Sequence, residues 1–377
     1  MDEQVTATGE IELLSDPSDL DGAALTFRRV IEGIRGASDS IVIHMFVWRS
    51  DAIGNEIGRA VLDAADRGVT IHIKKDTDAF MYERIEMNRK SLFNKPIPVP
   101  TRLMYRIRAM SFPDTRVEDD FGHELGDQLT SHDNISIEWV HHTHSKYYIF
   151  DQQIMITGSI NTEDRHRRYR DYVVQLSGAD LIDRFNNRYT DAVAYDPGRS
   201  IDFVLNNVID GRKCFEIKPA MLDAMDQAQR SVYIEMAYIG DPEISRKIVE
   251  IARRGIAVTI LFSKEANIGN DVNYRSLYRI CKRADITVYL SEKMIHSKLM
   301  LIDGEIVILG SANISVFSMQ KGVELDVIVK DQPRFVESVK ATIDQRIGES
   351  TKVQSIVELS HYNRVIASLQ QLHQLLH

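Results

Sequence analysis

The chain has 377 residues, which is long for one domain and ordinary for two, so each half can bury a core of its own. Charged residues make up 27% of the chain and its formal net charge is -9, which excludes a disordered protein and argues against a surface that binds nucleic acid throughout. Two cysteines without metal-ligand spacing, the lack of an apolar run near the ~18 residues that span a bilayer, and an acidic N-terminus predict a cytoplasmic protein.

The first part of the chain predicts an α/β unit that returns later. Apolar residues at helical spacing predict a helix over Ala23 to Arg35, and β-branched and aromatic residues predict a buried strand over Ser40 to Trp48. A helix over Gly54 to Asp66 and a strand over Val69 to Lys74 follow. From Ser231 the segment SVYIEMAYI parallels SIVIHMFVW of the first strand, and a helix and a strand follow again. The sequence therefore predicts two copies of one α/β unit.

A second repeat carries reactive side chains. The pattern H-x-K-x-x-x-x-D occurs twice, and in each copy Gly, Ser and Asn follow the histidine at +14, +15 and +17. Identical residues at matching offsets in two places are not a product of composition. The repeated residues are His144, Lys146, Asp151, Gly158, Ser159 and Asn161 in the first copy, and His296, Lys298, Asp303, Gly310, Ser311 and Asn313 in the second.

The first copy contains an insertion. The first strands of the two copies lie 191 residues apart, but the motif histidines lie 152 apart, so the first copy holds about 39 additional residues within 76–136. Segment 79–112 has seven Lys and Arg against two acidic residues, interleaved with Met, Phe and Tyr. This composition predicts an interfacial segment on anionic lipid. The alternative is a solvated insertion whose apolar residues pack on the domain.

These patterns predict an N-terminal lobe at 1–195 and a C-terminal lobe at 213–346. Residues 1–22 are predicted as a short lead-in, and Ala194 to Arg212, with its Asp-Pro-Gly and Asp-Gly turns, as a linker. Within 347–377, apolar residues at three- and four-residue steps predict an amphipathic C-terminal helix. Such a helix packs on its own domain or pairs with a second chain.

The repeated motif suits displacement at a phosphodiester. Alternate residues of a strand face one side, so each histidine and the lysine two positions on enter one site, to which the Gly-Ser turn and the Asn add neutral donors. Of two opposed imidazoles, one can attack phosphorus to form a phosphohistidine, and the other can protonate the departing alkoxide. The lysines would stabilise the non-bridging oxygens. This chemistry requires no metal ion and no cofactor.

Each imidazole also needs an orienting carboxylate. Asp171 lies 27 residues after His144, and Glu324 lies 28 residues after His296. Both begin the strand that follows the motif, so both are candidates for this role. Asp326 competes with Glu324.

Two further polar residues lie within the apolar first strands. His44 and Glu235 are equivalent under the 191-residue offset. Either they contact the substrate in the shared cleft, or they are buried and hydrogen-bonded for structural reasons.

The two motifs resemble the hallmark of the phospholipase D superfamily, H-x-K-x-x-x-x-D followed by G-S-x-N, over about residues 25 to 345. This resemblance implies an α/β architecture of two similar α/β/α lobes packed with pseudo-twofold symmetry, with the active site between them. It also implies a phosphohistidine intermediate, with His144 as nucleophile and His296 as general acid. The residues alone leave these two roles interchangeable.

Within the superfamily, the segments RDYVVQLSG, GVELDV and IEMAY are similar to strands of bacterial cardiolipin synthases. This implies a phosphatidyltransferase that acts on phospholipid. The basic and apolar insertion predicts a peripheral protein at the inner face of the membrane, and the net charge predicts no nucleic-acid partner. One alternative is a phospholipase D-type hydrolase that releases phosphatidic acid. Others are a metal-independent nuclease, which the net charge disfavours, and a non-catalytic lipid-binding module, which two complete motifs disfavour.

Overall fold

The computed structural model describes residues 9–15, 23–85, 91–93, 100, 124–191, 193–267 and 270–376. Most of the predicted insertion therefore lies outside the described residues. So does most of the predicted lead-in.

The first half folds around one mixed sheet. Among its described residues, seven strands lie in the order β1-β7-β6-β5-β2-β3-β4, with β2, β3 and β4 parallel and the other pairs antiparallel. The elements are β1 (Glu10–Leu13), α1 (Ala24–Gly36), β2 (Ser40–Met45), α2 (Ala52–Asp66), β3 (Thr70–Asp76), α3 (Thr77–Ile85), α4 (Glu124–Ser131), β4 (Ile135–Val140), β5 (Tyr147–Phe150), β6 (Ile154–Gly158), a 3₁₀ turn (Asp164–Arg168), β7 (Val173–Ser177) and α5 (Ala179–Asp191).

The second half repeats this order. Its described strands form one sheet, in the order β16-β12-β11-β10-β13-β14-β15-β8-β9. Six neighbouring strands of this sheet, β15-β14-β13-β10-β11-β12, match β7-β6-β5-β2-β3-β4 of the first sheet. The elements are β8 (Ile201–Ile209), β9 (Arg212–Phe215), α6 (Ile217–Gln227), β10 (Ser231–Met236), α7 (Pro242–Arg253), β11 (Ala257–Ser263), α8 (Asn270–Cys281), β12 (Thr287–Ser291), β13 (Lys298–Ile302), β14 (Ile306–Gly310), α9 (Val316–Gln320), β15 (Glu324–Val329), α10 (Pro333–Gly348), β16 (Thr351–Lys352), a 3₁₀ turn (Ile356–Ser360) and α11 (Arg364–Leu376).

Local sequence explains why the two halves fold alike. The helix after the first parallel strand is N-capped by an aspartate in both, since Asp51 accepts a hydrogen bond from a first-turn N–H in α2 and Asp241 does so in α7. Both helices are followed by a glycine with positive φ, Gly68 at 94° and Gly255 at 91°. Glycine there reverses the chain into the next strand without steric cost.

Three apolar cores organise the layers. One packs α1 and α2 on the first sheet, and a second packs α6, α7 and α8 on the second sheet. The third contains side chains of both sheets together with α5 and α10, including Ile149, Phe185, Leu299 and Val339. Each lobe is thus an α/β/α sandwich and the two share an inner core, which confirms the predicted fold class.

Two predictions about connecting segments are wrong. The lead-in contains β1, which pairs antiparallel with β7. The linker contains β8, a largely buried strand that pairs antiparallel with β15. The turn signals on either side of it bound a strand rather than a flexible segment, and Asp210 and Gly211, with φ of 50° and 75°, form the hairpin turn into β9. The second sheet therefore begins at Ile201, before the predicted lobe boundary at 213.

The C-terminal segment also differs from the single helix predicted for it, because it forms a 3₁₀ turn and a separate helix. A 3₁₀ turn comes first, and the side chain of Asn363 then accepts hydrogen bonds from two N–H groups of α11, which starts the helix there. The helix packs on α8, where Arg275 donates a hydrogen bond to Ser368 at 3.1 Å, and it leaves Val365 and Leu369 68% and 61% exposed. Within the described parts of the chain, no helix is long and apolar enough to cross a bilayer.

Candidate active site

Both motifs occupy the same place in their sheets. Strand β5 lies between β6 and β2, and β13 lies between β14 and β10. His144 and Lys146 directly precede β5, and His296 and Lys298 stand at the start of β13. Because these strands run antiparallel to β2 and β10, their starts lie at the carboxyl ends of the parallel strands. This is the edge at which α/β sheets bind ligands.

The Gly-Ser turns bring a second strand to the same edge. Gly158 and Gly310 end β6 and β14, and a Cβ added to either would lie 2.2 Å from a carbonyl oxygen of the neighbouring strand. Only glycine permits this approach. It places Ser159 and Ser311 beside the starts of β7 and β15.

The orienting carboxylates are exchanged between the halves. Nδ1 of His144 lies 3.1 Å from Oε2 of Glu324, and Nδ1 of His296 lies 2.7 Å from Oδ1 of Asp171. Spacing along the sequence pairs each carboxylate with the histidine of its own copy, and that pairing is wrong. The carboxylate types and their position at the strand starts are as predicted, but each serves the opposite imidazole.

Backbone pairing across the lobe boundary explains the exchange. The N–H of His144 donates to the carbonyl oxygen of Val323 at 2.7 Å, and the N–H of His296 donates to that of Arg170 at 2.8 Å. Each motif histidine is therefore hydrogen-bonded to the residue that directly precedes the orienting carboxylate of the other half. The pairing brings both half-sites into one centre.

The motif serines hold the carboxylates. The hydroxyl of Ser159 donates to Asp171 at 2.6 Å, and that of Ser311 donates to Glu324 at 2.5 Å. Each serine oxygen also accepts a backbone N–H of the following strand. Both side chains are fully buried. Their contacts indicate a positioning role for the hydroxyls.

Before substrate binds, the surroundings of His144 and His296 favour the neutral form of both imidazoles. Burial, then the neighbouring Lys146, lowers the pKa of His144, and burial and Lys298 hold the pKa of His296 well below its usual value. The exchanged carboxylates act in the opposite direction. With a proton on Nδ1 donated to the carboxylate, Nε2 keeps its lone pair. A phosphodiester anion in the site would favour protonation of one ring.

The motif lysines are buried beside the histidines. Lys146 and Lys298 are 2% and 1% exposed, and each ammonium group donates to the carbonyl oxygen of the histidine two positions earlier. The Lys298 Nζ also lies 3.3 Å from both ring nitrogens of His296. Burial lowers the pKa of Lys298 to about 8 and that of Lys146 well below its ordinary value. An incoming phosphate anion would favour the charged form of both.

The motif asparagines differ. Asn161 accepts a hydrogen bond from the Val47 N–H at 3.2 Å, whereas Oδ1 of the buried Asn313 has no partner among the described residues. The second half therefore offers an amide oxygen to a ligand.

Asp326 does not orient a histidine. It accepts from the Ala312 N–H at 3.0 Å, and burial raises its pKa to about 8.

The catalytic role predicted for Asp151 and Asp303 is not supported. Asp151 accepts backbone N–H groups of 38–40 at 2.8 to 3.2 Å, and Asp303 accepts those of 229–231 at 2.7 to 2.8 Å. Each aspartate lies five positions after its lysine along an extended chain, a distance of about 16 Å. The aspartates secure the chain where β2 and β10 begin, at the opposite end of the strand from the site.

His44 and Glu235 are buried, which favours the structural alternative over contact with substrate. His44 is 1% exposed, its Nε2 lies 2.9 Å from the Thr143 hydroxyl, and burial lowers its pKa to about 3. Glu235 is 0% exposed, pairs with Arg346 and accepts the Tyr233 hydroxyl at 2.9 Å. Both side chains make hydrogen bonds to neighbouring side chains of the protein.

One residue of the site was missed. His166 lies 22 residues after His144, and its Nδ1 is 2.8 Å from Oδ2 of Asp171. The second copy has Ser318 at this offset, so a search restricted to identical positions passes over it. Aligning the copies and asking where a titratable residue has no counterpart would have found it.

One group of described residues could hold a metal ion. Donor atoms of His166, Asp171 and His296 lie within 4.8 Å of one another. Hydrogen bonds already join the three side chains and account for their arrangement. The predicted independence from metal remains a prediction.

Two α/β/α lobes that meet over paired H-x-K half-sites are the architecture of the phospholipase D superfamily. The family model described as "Cardiolipin synthase, PLD-like domain" matches residues 30–191 and 221–347. The chain therefore belongs to this phospholipase D-like family.

Individual proteins show the same likeness. Cardiolipin synthase 1 of Bacillus cereus is 24% identical over 392 aligned residues, which cover 92% of this chain and 70% of that protein. Cardiolipin synthase B of Escherichia coli K12 is 22% identical, with 80% of this chain and 73% of that protein covered. Among solved structures, phosphatidylserine synthase of Haemophilus influenzae Rd KW20 superimposes with a TM-score of 0.67 at 14% identity, over 97% of this chain and 93% of that one. The last comparison bears on the fold alone.

Proposed function

We propose that the protein is a phosphatidyltransferase, which moves a phosphatidyl group from one phospholipid to a hydroxyl of another to give a cardiolipin-like product. The observation that carries the proposal is the pair of buried imidazoles, each held at Nδ1 by a carboxylate of the opposite half. This leaves two Nε2 atoms for one phosphorus. The names of the two relatives, both cardiolipin synthases, support the choice of substrate.

In the first step, Nε2 of His144 attacks phosphorus. A P–N bond forms while the bond from phosphorus to the donor headgroup oxygen breaks, and His296 gives its proton to that oxygen. The ammonium groups of Lys146 and Lys298 stabilise the charge on the non-bridging oxygens. The phosphatidyl group remains on His144 as a phosphohistidine.

In the second step, the acceptor lipid regenerates the enzyme. His296, now neutral, removes the proton of the acceptor hydroxyl, whose oxygen attacks phosphorus while the P–N bond breaks. With water in place of the lipid hydroxyl, the same residues would release phosphatidic acid. Exclusion of water from the cleft therefore decides between transfer and hydrolysis.

The product identifies the reaction. We expect vesicles of labelled phosphatidylglycerol, incubated with the enzyme in EDTA, to yield cardiolipin and one glycerol per cardiolipin on thin-layer chromatography. The His144→Asn variant serves as the matched control and should give neither product. Phosphatidic acid as the sole product would replace the proposal with the hydrolase, and DNA cleavage with inert lipid would replace it with the nuclease. Loss of activity in EDTA that added metal restores would contradict the metal-independent mechanism.

We also propose that the enzyme reaches its substrate as a peripheral protein at the inner face of the membrane, through the basic and apolar insertion. The arginines that would contact anionic lipid lie outside the described residues, so this part rests on sequence. Pairing of two chains through α11 likewise stays a prediction.

Neutralising part of the insertion tests the membrane contact. We expect Arg102→Gln, Arg106→Gln and Arg108→Gln together to weaken co-sedimentation with anionic vesicles, because each basic residue near the surface contributes about 1 kcal/mol. Turnover of a soluble short-chain substrate should not change. The matched control replaces three exposed helical arginines with the same change of charge, Arg28, Arg35 and Arg59. Equal loss of vesicle binding and short-chain turnover would point to a folding role for the insertion.

A further inference from the structure

The ring of His144 has an aromatic neighbour that its own half supplies. The rings of His144 and Phe46 are roughly perpendicular, with centroids 4.7 Å apart and 72° between their planes. The ammonium group of Lys146 lies 5.2 Å from the centroid of the same phenyl ring. The second copy has Ala237 at the position of Phe46, under the 191-residue offset of the first strands. His144 and Lys146 therefore contact a ring where the second half has only a methyl group.

Phe46 lies in a short segment, 46–48, that a buried ion pair holds at both ends. Nζ of Lys75, near the end of β3, donates to the carbonyl oxygen of Phe46. Oε1 of Glu83, on α3, accepts the N–H of Trp48 at 2.6 Å. Lys75 Nζ and Glu83 Oε1 are 2.9 Å apart, and both side chains are 0% exposed. The ion pair thus fixes the first and last residues of the segment.

Helix α3 is also attached to the backbone that leads into the first motif. Asp76 accepts the N–H of Ala79 at 2.7 Å, at the start of α3, and the N–H of Thr143 at 3.0 Å through its other oxygen. Ser263 ends β11 as Asp76 ends β3, and its hydroxyl oxygen accepts the N–H of Ile295 at 2.7 Å. A serine hydroxyl thus serves the motif of the second half, whereas the first half uses a carboxylate that serves α3 as well.

These contacts matter because attack on phosphorus depends on the direction of the imidazole. The attacking atom must lie about 3–3.5 Å from phosphorus and in line with the bond that breaks, and an error of about 1 Å can cost about 10²-fold in rate. The hydrogen bond from Nδ1 to Glu324 fixes one edge of the His144 ring. The contact with Phe46 lies away from that edge and fixes the tilt of the ring.

We propose that Glu83 is a positioning residue for His144. Through its ion pair with Lys75, Glu83 fixes segment 46–48, and the Phe46 ring then holds the imidazole in the orientation for attack. The catalytic meaning of this inference rests on the proposed function, in which that imidazole is the nucleophile. Since α3 lies within the predicted insertion, the inference also gives the first part of the insertion a purpose in the reaction.

The orientation of the ring can be measured without turnover. Histidine labelled at Cε1 with ¹³C gives an NMR signal for each ring, and the His144 signal is identified by its loss in His144→Asn. Because an aromatic ring shifts the resonances of nuclei beside it, Phe46→Leu should move this signal. Lys75→Met with Glu83→Met removes the ion pair without leaving a buried charge unpaired, so the fold should survive. We expect this pair variant to move the His144 signal in the same direction as Phe46→Leu.

Rates on phosphatidylglycerol vesicles test the same inference by a double-mutant cycle. We expect Phe46→Leu and the pair variant each to lower kcat by about 10- to 100-fold, because the nucleophile is misplaced, with KM changed by less than about twofold, because the lipid still binds. All three substitutions together should be about as slow as the slower of the two variants, since they act on one contact. Losses that multiply, or an unchanged kcat in the pair variant, would overturn the proposal.

Two further variants complete the test. Lys75→Met with Glu83→Gln keeps an acceptor for the Trp48 N–H, so its NMR signal and kcat should lie between those of the wild type and the pair variant. If the pair variant does not fold, this milder variant carries the test, and wild-type values for both would overturn the proposal. Arg188→Met with Glu216→Gln is the matched control, because it removes another ion pair whose arginine is fully buried, outside the site. It should leave both measurements unchanged.

The two measurements separate this inference from the proposed function. If the wild-type protein forms no cardiolipin but the His144 signal moves in the pair variant, the positioning by Glu83 stands and the proposed function fails. If the wild type forms cardiolipin and the signal keeps its position in both variants of the ion pair, the proposed function stands and the positioning by Glu83 fails.

Discussion

Replacing either His144 or His296 by alanine is expected to abolish turnover. Loss of the nucleophile removes the covalent route, and loss of the acid leaves an alkoxide to depart without a proton. General acid–base catalysis alone is worth about 10²- to 10⁴-fold, and loss of a nucleophile costs more. Because the two rings act as a unit, the double variant should be about as slow as the slower single variant. Steady-state rates on phosphatidylglycerol vesicles measure all three.

Variants with asparagine control for folding. Each truncation removes one hydrogen-bond donor from a buried carboxylate, and His144→Asn and His296→Asn restore a donor to that carboxylate without restoring chemistry. These variants should have a urea midpoint of unfolding close to that of the wild type and should remain inactive. A near wild-type rate in any variant of one histidine would remove that residue from the mechanism.

Replacing Arg346 by leucine is expected to cost about 3–5 kcal/mol of the free energy of unfolding, because it leaves a buried charge unpaired. The guanidinium pairs with the fully buried Glu235 and lies 4.2 Å from the centroid of the Tyr172 ring. It also donates to the carbonyl oxygen of Asp171 at 2.7 Å, which ties α10 of the second half to the site of the first. Urea denaturation followed by circular dichroism measures the loss.

Two comparisons isolate the charge. Arg334→Leu, on the exposed side of the same helix, should change the free energy of unfolding by no more than about 0.5 kcal/mol. Arg346→Leu combined with Glu235→Gln keeps an acceptor for the surrounding hydroxyls but removes the unpaired charge, so it should recover most of the loss. An equally unstable double variant would assign the cost to packing against Tyr172 instead.

The repeated pattern of the sequence was enough to predict the architecture. Strand and helix periods in the segments from Ser40 and from Ser231 predict matching α/β units, and the structure has them with ends shifted by a few residues. Strands β1 and β8 were missed because the strands that join them to the rest of their sheets, β7 and β15, lie in distant parts of the chain. Their own sequences, bounded by turn residues, do not distinguish them from connecting segments.

The pairing within the site could not be predicted. Counting residues from His144 to Asp171 describes distance along one copy, whereas the contact that matters depends on how two lobes pack. The aspartates of the motif were assigned wrongly for a different reason. Asp151 is identical in both copies and was therefore predicted to be catalytic, but it accepts backbone N–H groups of the turn before β2. Strand geometry alone, with Asp151 five positions after Lys146, was sufficient to exclude a shared site.

The exchange of carboxylates makes the contact between lobes a condition of catalysis. Neither lobe contains a complete acid–base unit, because each supplies the imidazole of one and the anion of the other. A separation of a few ångströms would break both pairs at once, while each sheet and the core on its outer face stayed folded. Activity should therefore report on lobe closure, and agents that loosen this boundary should inactivate the enzyme before they denature it.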